Sequence, residues 1–150
     1  MRSWALLLTL FPAVACASPD QAAEQPSIEE GYAVMDDGTR LYYEIVGEGE
    51  PVVVVPMAMY LTEALAPLAE GRRIVFYDPR NRGKSDAADL TTVSLDRQLL
   101  DLDQLRAGLG IEKMALIGWS GLGMEMAAYT VRHPERVTRL VQVAAVPPSA

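Results

Sequence analysis

The segment Met114-Ala-Leu-Ile-Gly-Trp-Ser-Gly-Leu-Gly-Met-Glu-Met-Ala-Ala-Tyr129 joins an apolar run, a serine between glycines and a helical pattern. Residues 113–117 are apolar after a single charge, which is typical of a strand buried on both faces. Two glycines flank Trp119 and Ser120, so we expect the chain to reverse sharply there before apolar residues recur at helical spacing. A serine on such a turn presents its hydroxyl at a helix N-terminus, where free N–H groups favour developing negative charge. The segment therefore predicts a strand, a tight turn with a candidate nucleophile, and a helix.

One alternative stays open for this turn. The serine of a tight glycine turn can serve only as a helix N-cap, with no chemical role. The usual G-x-S-x-G pattern has a second glycine two residues after the serine, and Leu122 occupies that position here. The rest of the chain must therefore decide between nucleophile and cap.

The amino-acid composition limits the classes of protein to which this chain can belong. Half of the 150 residues are hydrophobic, which suits one globular domain. The formal net charge of −7 leaves no basic face to neutralise phosphates, so a nucleic-acid partner is not expected. The single cysteine excludes an internal disulfide, and the single histidine limits metal and triad chemistry.

The N-terminus has the form of an export signal. Arg2 precedes a short apolar core and then small residues, and residues 1–17 are too few to span a bilayer comfortably. Cleavage before Cys16 would resemble a bacterial lipoprotein signal, whereas cleavage after Ala17 would be ordinary secretion. We favour lipidation of Cys16, which predicts an exported protein attached to a membrane; a periplasmic or secreted protein is the alternative. Residues 18–30 are polar and read as a linker.

The remaining residues, 31–150, alternate between strand and helix patterns. Residues 31–35 and 41–46 are β-prone runs around a turn sequence, which predicts a hairpin. Further strands are predicted at 51–55, 73–77 and 137–143, and helical stripes at 61–68 and 95–109, the second capped by Ser94 and ended by Gly110. This alternation predicts an α/β fold, a mainly parallel sheet with helices on both faces.

Two nucleotide-binding patterns fail on inspection. Gly83-Lys84-Ser85 could end a phosphate-binding loop, but that motif needs a glycine where Asp78 stands and a helix directly afterwards. No G-x-G-x-x-G is completed after a strand either, so a nucleotide-binding domain is not expected.

Three segments together resemble the α/β-hydrolase superfamily, in its branch of small bacterial hydrolases and esterases. Residues 77–86, Tyr-Asp-Pro-Arg-Asn-Arg-Gly-Lys-Ser-Asp, are similar to that family's D-x-R-x-x-G-x-S loop after the fourth strand. Residues 118–123 are similar to its nucleophile elbow, and residues 128–141 to the helix-to-strand passage that follows. The resemblance extends from about Gly31 to the last residue.

The resemblance implies a catalytic site. Ser120 would be the nucleophile, and the oxyanion hole would use the backbone N–H of Gly121 and a second donor from Met57 or Ala58, since Pro56 has no N–H. The substrate would be a small carboxylic ester, thioester or amide cleaved through an acyl-serine. The family needs no metal and no cofactor for this chemistry. Arg80, Arg82 and Lys84 could face an acidic substrate, but a structural or solvated loop is the expected role.

The resemblance also implies parts that these 150 residues do not contain. The family places its catalytic acid and histidine after the elbow, yet no Asp, Glu or His follows Val143. His133 would lie about 18 Å from the elbow at the far end of a helix, so it is not expected to be the base. A hydrolase fold without its last strands and lid is therefore expected. A fragment of a longer chain is our preferred explanation; an inactive product and a partner-completed sheet stay open, as does a non-catalytic binding protein on a degenerate hydrolase fold.

Overall fold

A computed structural model describes residues 27–144 as one six-stranded sheet with three α-helices. The elements in chain order are β1 (Ile28–Val34), β2 (Arg40–Val46), β3 (Val52–Pro56), α1 (Ala58–Leu65), β4 (Arg73–Tyr77), α2 (Leu95–Gly108), β5 (Met114–Trp119), α3 (Leu122–Arg132) and β6 (Val137–Val143). Short 3₁₀ turns follow at Ala66–Ala69, Leu90–Thr92 and Pro134–Arg136.

The strands lie in the order β1-β2-β4-β3-β5-β6. β1 and β2 form the predicted antiparallel hairpin, and β2 joins β4 antiparallel as well. β4, β3, β5 and β6 are parallel to one another. Because parallel strands share a direction, the loops that follow β3, β4 and β5 all emerge at the same edge of the sheet.

Both faces of the sheet are covered, as predicted. The residues of β3 are buried throughout and alternate between the two faces. Val53 and Val55 pack with Ala58 of α1 and with Ile74 and Phe76 of β4. On the opposite face, side chains of β3, β4 and β5 pack against leucines of α2 and against Met126 and Tyr129 of α3. The α/β class and the mainly parallel sheet with helices on both sides are therefore confirmed.

The caps of α2 are those that the sequence predicts. The Ser94 side chain accepts a hydrogen bond from the Arg97 N–H at 3.1 Å, which satisfies one free donor of the first turn. Gly110 adopts φ +67°, and the N–H of Ile111 reaches back to the Arg106 carbonyl, as in a Schellman motif. Asp101 of this helix is 3% exposed, so the buried face of α2 includes a charged side chain.

Two boundaries differ from the sequence prediction. β1 begins at Ile28, so the last three residues of the predicted linker pair with β2 instead. α1 begins at Ala58 and not at Leu61, because Met57 turns the chain directly after β3. The predicted signal at residues 1–17, with Cys16, lies outside the described residues.

Candidate active site

Ser120 occupies a strained turn between β5 and α3. Its φ is +54°, in the left-handed region that residues with a side chain rarely adopt. Such strain persists only where the surrounding structure fixes it, and it clusters at functional sites. An ordinary capping serine has extended backbone angles, as Ser94 has at φ −142°. The conformation of Ser120 therefore differs from that of a simple N-cap.

The glycines on either side of the turn allow strand and helix to approach closely. A Cβ on Gly118 would lie 2.6 Å from the Cα of Gly123, closer than any real contact. The tight packing that a G-x-S-x-G pattern provides is thus provided here by Gly118 and Gly123, although Leu122 stands at the usual second glycine.

The N–H of Ser120 is already used, whereas that of Gly121 lies at the start of α3. Ser120 donates to the carbonyl of Val143 at 3.0 Å, which joins the turn to β6. Gly121 immediately precedes the first helical residue, so its N–H has no acceptor within the helix. This N–H and the positive end of the helix dipole directly follow Ser120 along the chain.

The segment after β3 reaches the same edge of the sheet. β3 and β5 are neighbours, with Val54 opposite Leu116, and neighbouring strands lie about 4.8 Å apart. Continued beyond the paired residues, this register brings Met57 and Ala58 level with the elbow. Met57 has φ +73° and both residues are buried. The structure thus gathers Ser120, Gly121, Met57 and Ala58 at one edge; their roles stay a prediction.

Asp78 fixes the start of α1, a role that sequence reasoning missed. The side chain is fully buried, and its Oδ1 accepts the Met59 N–H at 3.0 Å. Its Oδ2 accepts the Lys84 N–H, also at 3.0 Å. Because Met57 has no capping side chain, Asp78 supplies the cap from the loop directly after β4. The N–H groups of Met57 and Ala58 have no acceptor within the helix.

Arg80 belongs to the framework of the loop after β4, where two carboxylates bind its guanidinium group. It is 3% exposed and forms two hydrogen bonds to the Asp101 carboxylate, at 2.6 and 2.8 Å, and one to Asp37 at 3.0 Å. The hydrogen bonds to Asp101 raise the pKa of Arg80 above its usual range. Lys84 contacts the hydroxyl of Tyr42 at 2.7 Å. The structural role expected for this loop is confirmed at Arg80.

A half-buried carboxyl group lines a cavity beside the elbow. Glu125, in the first turn of α3, borders a cavity of about 350 Å³ together with Leu122 and residues of the β4 loop. Burial raises the pKa of Glu125 to about 7, and the positive charge of Arg82 opposes this shift. With its amide nitrogen turned toward α3, Gln98 donates to both carboxylate oxygens, at 2.7 and 2.6 Å. Sequence reasoning did not single out Glu125.

His133 lies at the opposite end of α3 from Ser120, as expected. The helix has 11 residues and is therefore about 16 Å long. The His133 ring packs on Tyr129 at 4.8 Å between centroids, and its Nδ1 lies 3.8 Å from Glu135. It is the only histidine among the 150 residues, so these residues supply no histidine partner for Ser120.

Residues 27–144 contain neither a metal-binding cluster of side chains nor a helix suited to cross a membrane. No group of three or more His, Cys, Asp or Glu side chains in that range is placed to hold a metal ion. Within the same range, none of the helices combines the length and apolar character needed to cross a membrane.

Comparisons with known proteins agree with this architecture. A family model described as alpha/beta hydrolase fold matches residues 56–150. A proline iminopeptidase of Xylella fastidiosa is 33% identical over 79% of this chain and 40% of its own length. A non-heme chloroperoxidase of Streptomyces lividans is also 33% identical, over 79% of this chain and 45% of its own. The crystal structure of a bromoperoxidase from Bacillus anthracis superimposes with a TM-score of 0.70, at 31% identity, over 80% of this chain and 46% of that one.

These relatives extend well past the matched region. The chain spans about two-fifths of the length of the curated relatives that it matches. The family resemblance of the three sequence segments is nevertheless confirmed, because the family model covers more than half of the residues, including the elbow. The chain belongs to the α/β hydrolase fold family.

Proposed function

We propose that this hydrolase is a serine hydrolase that cleaves a carboxylic ester, thioester or small amide through an acyl-serine. The observation that carries the proposal is the left-handed backbone of Ser120 on a turn between a buried strand and a helix N-terminus. A serine in a strained turn of this kind projects its Oγ away from the backbone, where a substrate carbonyl can reach it.

In the proposed reaction, Ser120 Oγ attacks the carbonyl carbon and forms a tetrahedral intermediate. The negative charge on the carbonyl oxygen is stabilised by the N–H of Gly121 and by one from Met57 or Ala58. The bond to the leaving alcohol, thiol or amine then breaks, and that group takes up the proton of Ser120. Water next attacks the acyl-serine, which releases the carboxylic acid and returns the proton to Ser120.

The proton of Ser120 must pass through a base that the 150 residues do not provide. A serine without such a base keeps its proton and is a weak nucleophile. Since the relatives are more than twice as long as the matched region, we propose that the histidine and its acid lie in a longer form of this chain. Completion by a partner chain is the alternative.

The serine at the elbow, Ser120, argues against two of the reaction types found in this family. Members of this family that act as dehalogenases or epoxide hydrolases use an aspartate as nucleophile, and this elbow carries Ser120 instead. The relatives include a peptidase by name and a peroxidase by name. The two names denote different reactions, so we leave the leaving group open among ester, thioester and amide.

A non-catalytic binding protein is the competing function. Its support is that Pro56-Met57 and Leu122 depart from the family's usual residues in the loop after β3 and at the elbow. The retained strain at Ser120 argues against it, because a binding scaffold gains nothing from a costly backbone at that residue.

We also propose that the protein is exported and lipidated at Cys16, because residues 1–17 have the form of a lipoprotein export signal.

A fluorophosphonate probe tests the proposal on protein isolated from its source. We expect the probe to label the protein, Ser120→Ala to abolish labelling, and Ser27→Ala, which removes an exposed serine, to leave it unchanged. The mass of the labelled species shows at the same time whether the chain is longer than 150 residues. Labelling that persists in Ser120→Ala would exclude Ser120 as the nucleophile.

A further inference from the structure

Two consecutive residues of β6 contact the elbow from the same side. The Val143 carbonyl accepts the N–H of Ser120 at 3.0 Å. The Gln142 side-chain amide donates to the carbonyl of Gly123, in the first turn of α3, at 2.9 Å. β6 thus holds Ser120, two residues before the helix, and Gly123 within its first turn.

Two residues of the elbow, Gly118 and Gly123, are glycines, and the space that side chains would occupy is open to the Gln142 amide. Gly118 is the register partner of Gln142 on β5, and it has no Cβ. The Cα of Gly123 lies where that Cβ would point. The first turn of α3 therefore lies directly over the end of the strand, and its Gly123 carbonyl is within reach of the neighbouring strand's side chain.

Gln142 is also out of pattern for its strand. Its neighbours Val141 and Val143 are apolar, and Leu140 packs against the core on the helix-covered face. Gln142 is largely exposed, so water is available to its amide, yet the amide donates to the Gly123 carbonyl. The contact is therefore specific to this residue and does not follow from the strand pairing itself.

We propose that Gln142 is a positioning residue, whose amide fixes the first turn of α3 and so keeps the elbow in the conformation that presents Ser120. A left-handed residue stays in place only when its surroundings determine it from several sides. The Val143 carbonyl does this through the backbone, and Gln142 does it through a side chain. The catalytic part of this inference rests on the proposed function; the structural part does not.

Gln142→Met tests the structural part, because methionine has a similar length and no N–H donor. We expect amide hydrogen exchange in residues 119–126 to rise by about three- to tenfold, since the lost bond is a neutral one. The matched control is Gln104→Met. Gln104 accepts the Asp36 N–H at 3.0 Å, away from the elbow, so its loss should leave exchange in residues 119–126 unchanged.

Probe labelling of Ser120 tests the catalytic part. For Gln142→Met we expect the maximal labelling rate to fall about three- to tenfold while the probe concentration at half-maximal rate stays the same. Gln142→Glu supplies a rescue: a protonated carboxyl donates to Gly123, whereas an ionised one does not. The labelling rate of Gln142→Glu relative to the parent protein should therefore fall as the pH rises through the titration of that carboxyl.

The outcomes separate the inference from the proposed function. Unchanged exchange in Gln142→Met, or an equal rise in Gln104→Met, overturns the positioning role. Raised exchange with an unchanged labelling rate overturns its catalytic part. Raised exchange in a protein that the probe never labels supports the structural role of Gln142 and counts against the proposed function alone.

Discussion

Glu125 makes the stability of the fold depend on pH in a direction opposite to most carboxylates. Burial raises its pKa to about 7, so the folded state favours the protonated form. Its contribution is fully present below the ordinary glutamate range and is lost as the pH rises through 7. We expect the parent protein to lose about 1–2 kcal/mol more unfolding free energy between pH 5 and pH 8 than Glu125→Gln, after allowance for solvent screening. Urea denaturation at the two pH values measures this, and parallel pH dependence of the two proteins would contradict it.

Asp78 should contribute more to the free energy of unfolding than its position in a loop suggests. Asparagine at this position keeps one acceptor and turns an N–H₂ group toward a backbone donor, so one of the two buried hydrogen bonds is lost. We expect Asp78→Asn to lower the unfolding free energy by about 1–3 kcal/mol and to slow labelling of Ser120, because α1 then starts less precisely. Asp86→Asn is the matched control, since the Asp86–Arg40 pair is exposed. Equal effects of the two variants would remove the special role of Asp78.

At this scale the sequence predicts the residues whose role is local. The turn at Ser120 and Gly121 and the cap at Ser94 depend on a few neighbouring residues of the chain, so turn and cap patterns predict them. Asp78 and Gln142 act on segments 19 residues away in each case, at Met59 and Gly123. Such roles depend on strand order and register, which no local pattern encodes. For Gln142, the one feature of the sequence that indicated a special role was a polar residue between two valines in a predicted strand.

The loop after β4 is joined to α2 by a buried ion pair. Arg80 and Asp101 are both almost fully buried, and the pair links elements that neither propensity nor periodicity connects. Removing Arg80 takes two hydrogen bonds from the buried Asp101 carboxylate and leaves Arg97 as its remaining cationic partner, so we expect Arg80→Met to destabilise the protein by about 2–3 kcal/mol. Arg40→Met, which breaks an exposed pair, should cost less than about 1 kcal/mol. The midpoints of urea unfolding compare the two, and similar losses would contradict the buried-pair argument.

Strands and helices were predicted well where burial and caps agree with the local pattern. β3 is apolar at every position because helices cover both faces, and α2 has a capping serine and a terminal glycine. The start of α1 was missed because its cap comes from Asp78, in the loop directly after β4. β1 begins earlier than composition suggested because pairing with β2 supplies partners for the backbone of Glu29 and Glu30.

For the whole molecule, the proposed lipidation of Cys16 would decide where the protein is located. If Cys16 is lipidated, the protein should fractionate with membranes, and Cys16→Ser should shift it to the soluble fraction without loss of probe labelling. Ala17→Ser is a control that leaves the cysteine in place. The same distribution for both variants would favour ordinary secretion.

The whole-molecule fold could be inferred from the order of three segments, because strand–turn–helix units in sequence imply parallel strands and a common edge.

The proposed chemistry depends on whether Ser120 carries an acyl group during turnover. The direct measurement is an acid quench of the source-isolated protein during hydrolysis of p-nitrophenyl acetate, followed by trypsin digestion and mass spectrometry. We expect one acetyl group on the peptide of residues 114–132, in which Ser120 is the only serine. Ester turnover with no adduct on that peptide, or with the acetyl group on another residue, would contradict the acyl-serine mechanism.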